Sequence, residues 1–184
     1  MKLIIGLGNP EDKYSGTRHN VGFFMLDHLA SSYQIDFQPK TKFKAHIAEL
    51  SKAGEKVFLA KPTTYYNSVG ESYRALTDFY DIAPEDVLII ADDLALPIGT
   101  LRTRIGGSDA GNNGIKSINA HGGEHTRRLR VGISNDLRIH MSDIDLVLGK
   151  FSSKEIDTLE GLLPRVSTIV EDFITSSFDT TTHR

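Results

Sequence analysis

The sequence has no cysteine, which excludes a disulfide framework and any thiolate chemistry. No apolar run approaches the ~18 residues that a membrane span requires. The opening Met1-Lys2-Leu3-Ile4-Ile5 reaches glycine too soon for a secretory leader. Repeats and linker-like stretches are also missing. Together these absences predict one soluble, cytoplasmic domain over residues 1–184, a length that can bury a substantial core.

What is present is ordinary globular composition, 39% hydrophobic and 24% charged, which argues against disorder. The net charge of −3 is unevenly spread. Between Gly99 and Arg138, seven basic residues (Arg102, Arg104, Lys116, Arg127, Arg128, Arg130, Arg138) stand against three acidic ones (Asp109, Glu124, Asp136). That segment is +4 and the remainder −7. A basic patch on an acidic body is compatible with phosphate contact, and a solvated face of mixed charges has the same composition.

Periodicity supplies the elements. Lys2–Leu7 reads as a buried strand ended by Gly6, Gly8 and Pro10, whose glycines allow a tight turn. Asn20–Tyr33 reads as a helix with Val21, Phe24, Met25, His28 and Leu29 on one face. Phe43–Leu50 and Lys56–Lys61 bracket a hairpin turn at Lys52-Ala53-Gly54-Glu55. Asn67–Tyr80 is predicted helical. Val87–Ala91 has the pattern of a central strand covered on both faces, and it ends in Asp92-Asp93. Leu101–Ile105 and Leu129–Ile133 are further strands, separated by a segment that opens with the glycine-rich Gly106–Gly114. Ser152-Ser153-Lys154-Glu155 forms a capping box for a C-terminal helix over about 153–175. Pro164 predicts a kink or restart within it, and residues 179–184 a frayed tail. Alternating strands and helices predict an α/β fold: a single three-layer domain with a mixed, mostly parallel twisted sheet flanked by helices.

Three local motifs point to chemistry and fail on their own terms. Gly6-Leu7-Gly8-Asn9-Pro10-Glu11 begins a dinucleotide fingerprint, but Glu11 puts a carboxylate where pyrophosphate needs a bare backbone. His121-Gly122-Gly123-Glu124-His125 matches a zinc-peptidase spacing, but paired glycines disfavour the helix it requires. Gly106-Gly107-Ser108-Asp109-Ala110 misses a serine elbow at its last residue. A fourth constellation is stronger. Asn9 and Asp92 follow two strands that, if parallel, end on one edge of the sheet, and His19 opens the next helix. An Asp–His pair there makes a general base, with Asn9 and Asn67 as amide donors to an oxyanion.

Four ordered stretches, "GLGNP…Y…TRHNVG", "KPTTYYNSVG", "ADDLALPIGTLRTRIGGSDAGNNGIKSI" and "RRLRVGI", resemble bacterial peptidyl-tRNA hydrolases from Lys2 to about Phe151. The resemblance implies hydrolysis of the ester between a peptide and the 3′ ribose oxygen of tRNA, recycling tRNA from aborted translation. It implies His19 as the base that activates water, Asp92 as its orienting partner, and Asn9 as the reader of the blocked amino end. Tyr14, Tyr65, Asn67 and Asn113 match positions that contact the substrate's 3′ end or peptide. Arg102, Arg104, Arg128 and Arg130 match positions that meet tRNA phosphates. The family implies no metal, no organic cofactor, no membrane and a monomer.

The chain departs from that pattern at several places. Glu11 replaces a glycine, Tyr66 a methionine, Val69 a serine, Ala95 an aspartate, Ala110 a glycine and Asn112 a histidine. Tyr66 and Asn112 predict altered substrate handling rather than inactivity. A non-catalytic RNA-binding module would need the basic segment without His19 and Asp92. A small-molecule esterase would need the pair without the arginines.

Overall fold

Strand β1 (Lys2–Gly6) is buried along its whole length in the computed structural model, which describes residues 1–184. Its side chains alternate between two cores, Ile4 facing one and Leu3 and Ile5 the other. Strand β5 (Val87–Pro97) repeats the pattern, with Leu88 and Ile90 on one side and Val87, Ile89 and Ala91 on the other. A continuous apolar run suits burial on both faces. Helices α1 (Val21–Ser32) and α5 (Ser153–Ile174) cover the first face; α2 (Gly70–Tyr80) and α3 (Asn113–Ala120) cover the second. The result is the expected three-layer α/β domain. No helix is long and apolar enough to cross a membrane.

The remaining strands are β2 (Gln38–Lys40), β3 (Ala45–Lys52), β4 (Glu55–Pro62), β6 (Leu101–Ile105), β7 (Arg127–Ser134) and β8 (Thr182–His183), in spatial order β2-β3-β4-β1-β5-β7-β6-β8. The sheet is mixed, but parallel pairing is confined to its centre, β4-β1-β5-β7. Both flanks are antiparallel, which corrects the expectation of a mostly parallel sheet. Short connections such as the β3–β4 hairpin can only join antiparallel neighbours. That hairpin turns at Ala53 and Gly54, with φ of 51° and 76°, the two positive values of a type I′ turn.

The glycines after β1 serve close packing, contrary to the expected tight turn. Neither Gly6 nor Gly8 has positive φ. A Cβ on Gly6 would lie 2.6 Å from the carbonyl oxygen of Gly22, and one on Gly22 2.5 Å from the amide nitrogen of Leu7. The first turn of α1 therefore lies directly against the end of β1. Glu11 occupies an ordinary extended conformation (φ −74°), so its backbone tolerates the loss of glycine.

At the C-terminus the expected restart of the last helix and the expected frayed tail are both corrected. Helix α5 runs unbroken past Pro164, which lies on the exposed side, where the carbonyl of Glu160 can be hydrated instead. Leu159, Val166, Val170 and Phe173 hold the helix on the core across that point. The tail is also ordered: β8 pairs with β6, and the Thr103 hydroxyl donates to the Asp179 carbonyl at 2.6 Å.

Helix α5 is tied to the segment before α1 by a buried ion pair. Arg18, 3% exposed, donates through Nη2 to both carboxylate oxygens of Glu155 at 2.9 and 3.1 Å, and its guanidinium lies 4.9 Å from the Phe151 ring centre. Burial alone would raise the Glu155 pKa. The Ser152 amide, Arg18 and Asn135 outweigh it and hold the carboxyl below its ordinary value. A lowered folded-state pKa adds stability above the unfolded pKa, and that stability disappears as pH falls through the folded value. Glu155→Gln should therefore cost about 2 kcal/mol at neutral pH, because Arg18 keeps its charge without a counter-ion. The difference from the parent should narrow below about pH 4. Urea unfolding at pH 7 and under acid conditions checks both statements; a pH-independent gap would contradict them.

Candidate active site at the carboxyl edge of the sheet

Strands β1 and β5 pair in parallel, Ile4 opposite Leu88, so both open toward the same edge. The two neighbours of β1, β4 and β5, lie on its opposite sides, the arrangement that leaves a crevice at the carboxyl ends of an open α/β sheet. An open cleft of about 910 Å³ occupies that edge. Asn9, His19, Asn67, Asp92 and Asn113 all line it, which brings together the residues placed there from strand ends.

His19 comes from a short 3₁₀ turn, Arg18–Asn20, that runs straight into α1. Its Nδ1 lies 2.9 Å from Asp92 Oδ2. The other oxygen, Asp92 Oδ1, accepts the Tyr66 hydroxyl at 2.5 Å. Asn112 Nδ2 in turn donates to the Tyr66 oxygen at 2.8 Å. Burial, and then the charge of Asp92 and the hydrogen bond to it, push the Tyr66 hydroxyl well above its ordinary pKa, so it remains a donor. An ionised Asp92 then accepts from both partners. The network assigns the imidazole proton to Nδ1 and leaves the Nε2 lone pair as the basic site. The Tyr66 ring stacks on the imidazole, with centres 3.5 Å apart and planes 14° apart.

Asn9 is oriented as firmly. Its amide nitrogen donates to Asn20 Oδ1, its carbonyl accepts from Asn20 Nδ2, and its Oδ1 accepts the Tyr66 amide, each at 2.9 Å. The Nδ2 group is left as a donor for the cleft. Tyr65 is exposed on the cleft wall, its hydroxyl donating to Glu11 at 2.5 Å. That hydrogen bond, followed by the one from Lys13, lowers the Glu11 pKa. Tyr14 does not line the cleft; it sits half-buried beside Lys13.

The four arginines share one face of the β6–β7 ladder, with Arg102 opposite Arg130 and Arg104 opposite Arg128. Only Arg102 and Arg130 line the cleft. Arg104 Nη1 is bound to the Thr103 and Thr181 carbonyls. Arg128 is 1% exposed and donates to the carbonyls of Gly107 and Ser108 and to Asn119 Oδ1. Its expected phosphate contact is corrected on this point: the guanidinium is spent on pinning the glycine-rich loop. Within that loop Ala110 holds φ at 50°, the left-handed conformation that the glycine of the family pattern adopts freely. His121 bonds the Ser117 carbonyl at 2.7 Å in the turn after α3, and no three His, Asp or Glu side chains gather as a metal would need.

Several contributors escaped sequence reasoning. Asn20 has no signal beyond its place beside His19. The far wall of the cleft comes from Arg138 and from α4 (Asp143–Leu148), through Ile144, Val147 and Leu148. A six-residue helix is too short for its periodicity to stand out.

The comparisons with known proteins bear on the family and the fold. The peptidyl-tRNA hydrolase family model matches residues 3–184. The peptidyl-tRNA hydrolase of Chlorobium limicola is 47% identical over 174 residues, covering 94% of this chain and 91% of that protein. The one from Listeria innocua is 44% identical over 179 residues, covering 97% and 96% respectively. A solved structure of peptidyl-tRNA hydrolase from Acinetobacter baumannii, 36% identical, superposes with a TM-score of 0.87 over 96% of this chain and 89% of that one. With family match, length and architecture in agreement, the chain belongs to the peptidyl-tRNA hydrolase family.

Proposed function

We propose that this hydrolase cleaves peptidyl-tRNA with a water activated at His19 Nε2. The observation that carries the reading is the 2.9 Å contact of His19 Nδ1 with Asp92, which leaves Nε2 as the basic atom in a cleft. Nε2 takes a proton from water as the oxygen attacks the ester carbonyl. Asp92 stabilises the imidazolium that forms. The tetrahedral intermediate collapses by expelling the 3′ ribose oxygen, which receives the proton from Nε2. General-base help of this kind contributes about 10²–10⁴-fold, and an amide donor to the oxyanion about 10²–10³-fold. Asn67, exposed on the cleft, is assigned that donor role, and Asn113 and Tyr65 contact the acceptor end.

Asn9 Nδ2 is assigned to the acyl carbonyl of the blocked amino group. A free ammonium offers only donors at that place, so an aminoacyl-tRNA leaves the amide unpaired. Arg102 and Arg130 in the cleft, with Arg104 beside them on the same face of the β6–β7 ladder, meet tRNA phosphates; Arg128 has no part in this. The reading is completed by a cytoplasmic monomer, and a sedimentation mass near 20.3 kDa checks the oligomeric state.

Single-turnover hydrolysis of an N-blocked aminoacyl-tRNA tests the central step. His19→Ala should lose at least about 10²-fold in rate, and parental activity would overturn the assignment. Asn9→Ala should erode the preference for N-blocked over free-amine substrate. If that preference is intact, discrimination lies elsewhere. Arg102→Gln and Arg130→Gln should each flatten the salt dependence of tRNA binding by about 0.7 per lost single-strand contact. Arg128→Gln should lower the melting temperature instead and leave the salt slope as it is.

A further inference from the structure

Two of the positions at which this chain departs from the family pattern, Tyr66 and Asn112, touch each other across 46 residues of sequence. We propose that they form one positioning unit, through which the α2/α3 layer fixes the Asp92 carboxylate and the plane of the His19 imidazole. This rests on His19 being the base.

The two substitutions are chemically linked. A methionine at 66 has no donor for Asp92, so the tyrosine adds a contact that the family's usual residue cannot make. The hydroxyl oxygen then needs a donor of its own, and the Asn112 amide supplies it at 2.8 Å. The directions run Asn112 Nδ2 to Tyr66 Oη, Tyr66 Oη to Asp92 Oδ1 and His19 Nδ1 to Asp92 Oδ2, with Asn112 Nδ2 also reaching the Asp92 carbonyl at 3.4 Å and Oδ1 at 3.5 Å. Neither oxygen of the buried carboxylate is left to rotate toward another partner. The ring of Tyr66 has no room to swing away, because Gly114 packs so closely that a Cβ there would meet it at 2.6 Å. Asn112 is anchored as well, its Oδ1 capping α3 by accepting the Ile115 amide at 3.0 Å. The end of the glycine-rich loop is thereby joined to the His19–Asp92 pair. The stacked phenol also lies against the imidazole face, where it favours the imidazolium formed in the reaction.

The arrangement has a second consequence. The tyrosine hydroxyl shares the charge of Asp92, which weakens the hold of the carboxylate on the imidazolium. The other ionic groups at the cleft are Asp93 with its partner Arg130, Asp109, Arg102, Arg138 and Asp143. None is hydrogen-bonded to His19 or Asp92, and Arg18 is turned to Glu155.

The test uses Tyr66→Phe, which keeps the ring, and Asn112→Ser, which keeps a helix cap but withdraws the amide. Both are measured as kcat and KM against pH on N-blocked aminoacyl-tRNA, with melting curves and His19→Ala alongside. Tyr66→Phe should lower kcat about tenfold, the rate equivalent of one hydrogen bond, with KM within about twofold. It should also move the acid limb of the kcat profile upward, because an unshared Asp92 charge holds the imidazolium more strongly. Asn112→Ser should act in the same direction and less, and the double variant should lose clearly less than the product of the two single losses, because Asn112 Nδ2 acts chiefly through the Tyr66 hydroxyl at 2.8 Å and only at 3.5 Å on Asp92 Oδ1. An unmoved acid limb, a loss confined to KM or to melting temperature, or multiplicative losses in the double variant would overturn the proposal. If Tyr66→Phe does not fold, the acid limb of Asn112→Ser decides alone. Parental kcat in His19→Ala would sink the base assignment itself, whereas an inactive His19→Ala with an unmoved Tyr66→Phe profile sinks only the pairing.

Discussion

The carboxyl edge of the sheet is organised around a carboxylate that has been taken out of water. Asp92 is 7% exposed on the central strand β5, two residues beyond the last pairing with β1, and a charge in that position needs donors on both oxygens. His19 and Tyr66 supply them, and they arrive from different sides of the sheet. His19 leads into α1, on one face; Tyr66 precedes α2, on the other. The pair is therefore complete only when both helical layers are seated on β1 and β5. The close contact of Gly6 and Gly22 belongs to the same requirement, since it sets how near the start of α1 comes to the strand ends.

A second electrostatic constraint shapes the neighbouring wall. Four arginines on one face of two adjacent strands repel one another, and each must be answered locally. Arg128 is answered by loop carbonyls and by Asn119, and burial together with Arg130 lowers its pKa. Arg130 lies 3.6 Å from Asp93, and Arg104 leans on the tail. The face is thus graded from structural cation to cleft cation. Composition alone counts all four as equal.

What was legible in the sequence was local or tied to strand ends. The continuous apolar runs of β1 and β5, the Ala53-Gly54 turn and the Ser152–Glu155 box each carry their own physical signature, and the structure contains them. Asn9 and Asp92 could be placed on one edge because β1 and β5 run parallel, although β5 continues through Asp92 to Pro97 instead of ending at Ala91. The burial of Arg128 was not legible, because it depends on a loop from elsewhere in the chain folding over it. The Tyr66–Asn112 contact joins residues with no shared periodicity. β8 was hidden by a polar composition that looks the same whether a tail is free or paired, and the hydrogen bonds that order it come from β6.

That terminal pairing bears on the margins of the sheet. An unpaired sheet edge is a template for strands of other molecules. On one side of this sheet the outermost strand is β2, three exposed residues that include Pro39 and Lys40. On the other side β6 would present its edge, with Ile105 exposed, had the last residues of the chain not folded back onto its first half. Proline and lysine blunt one margin and the chain's own end covers part of the other, so a sheet of eight strands offers little purchase for edge-to-edge aggregation.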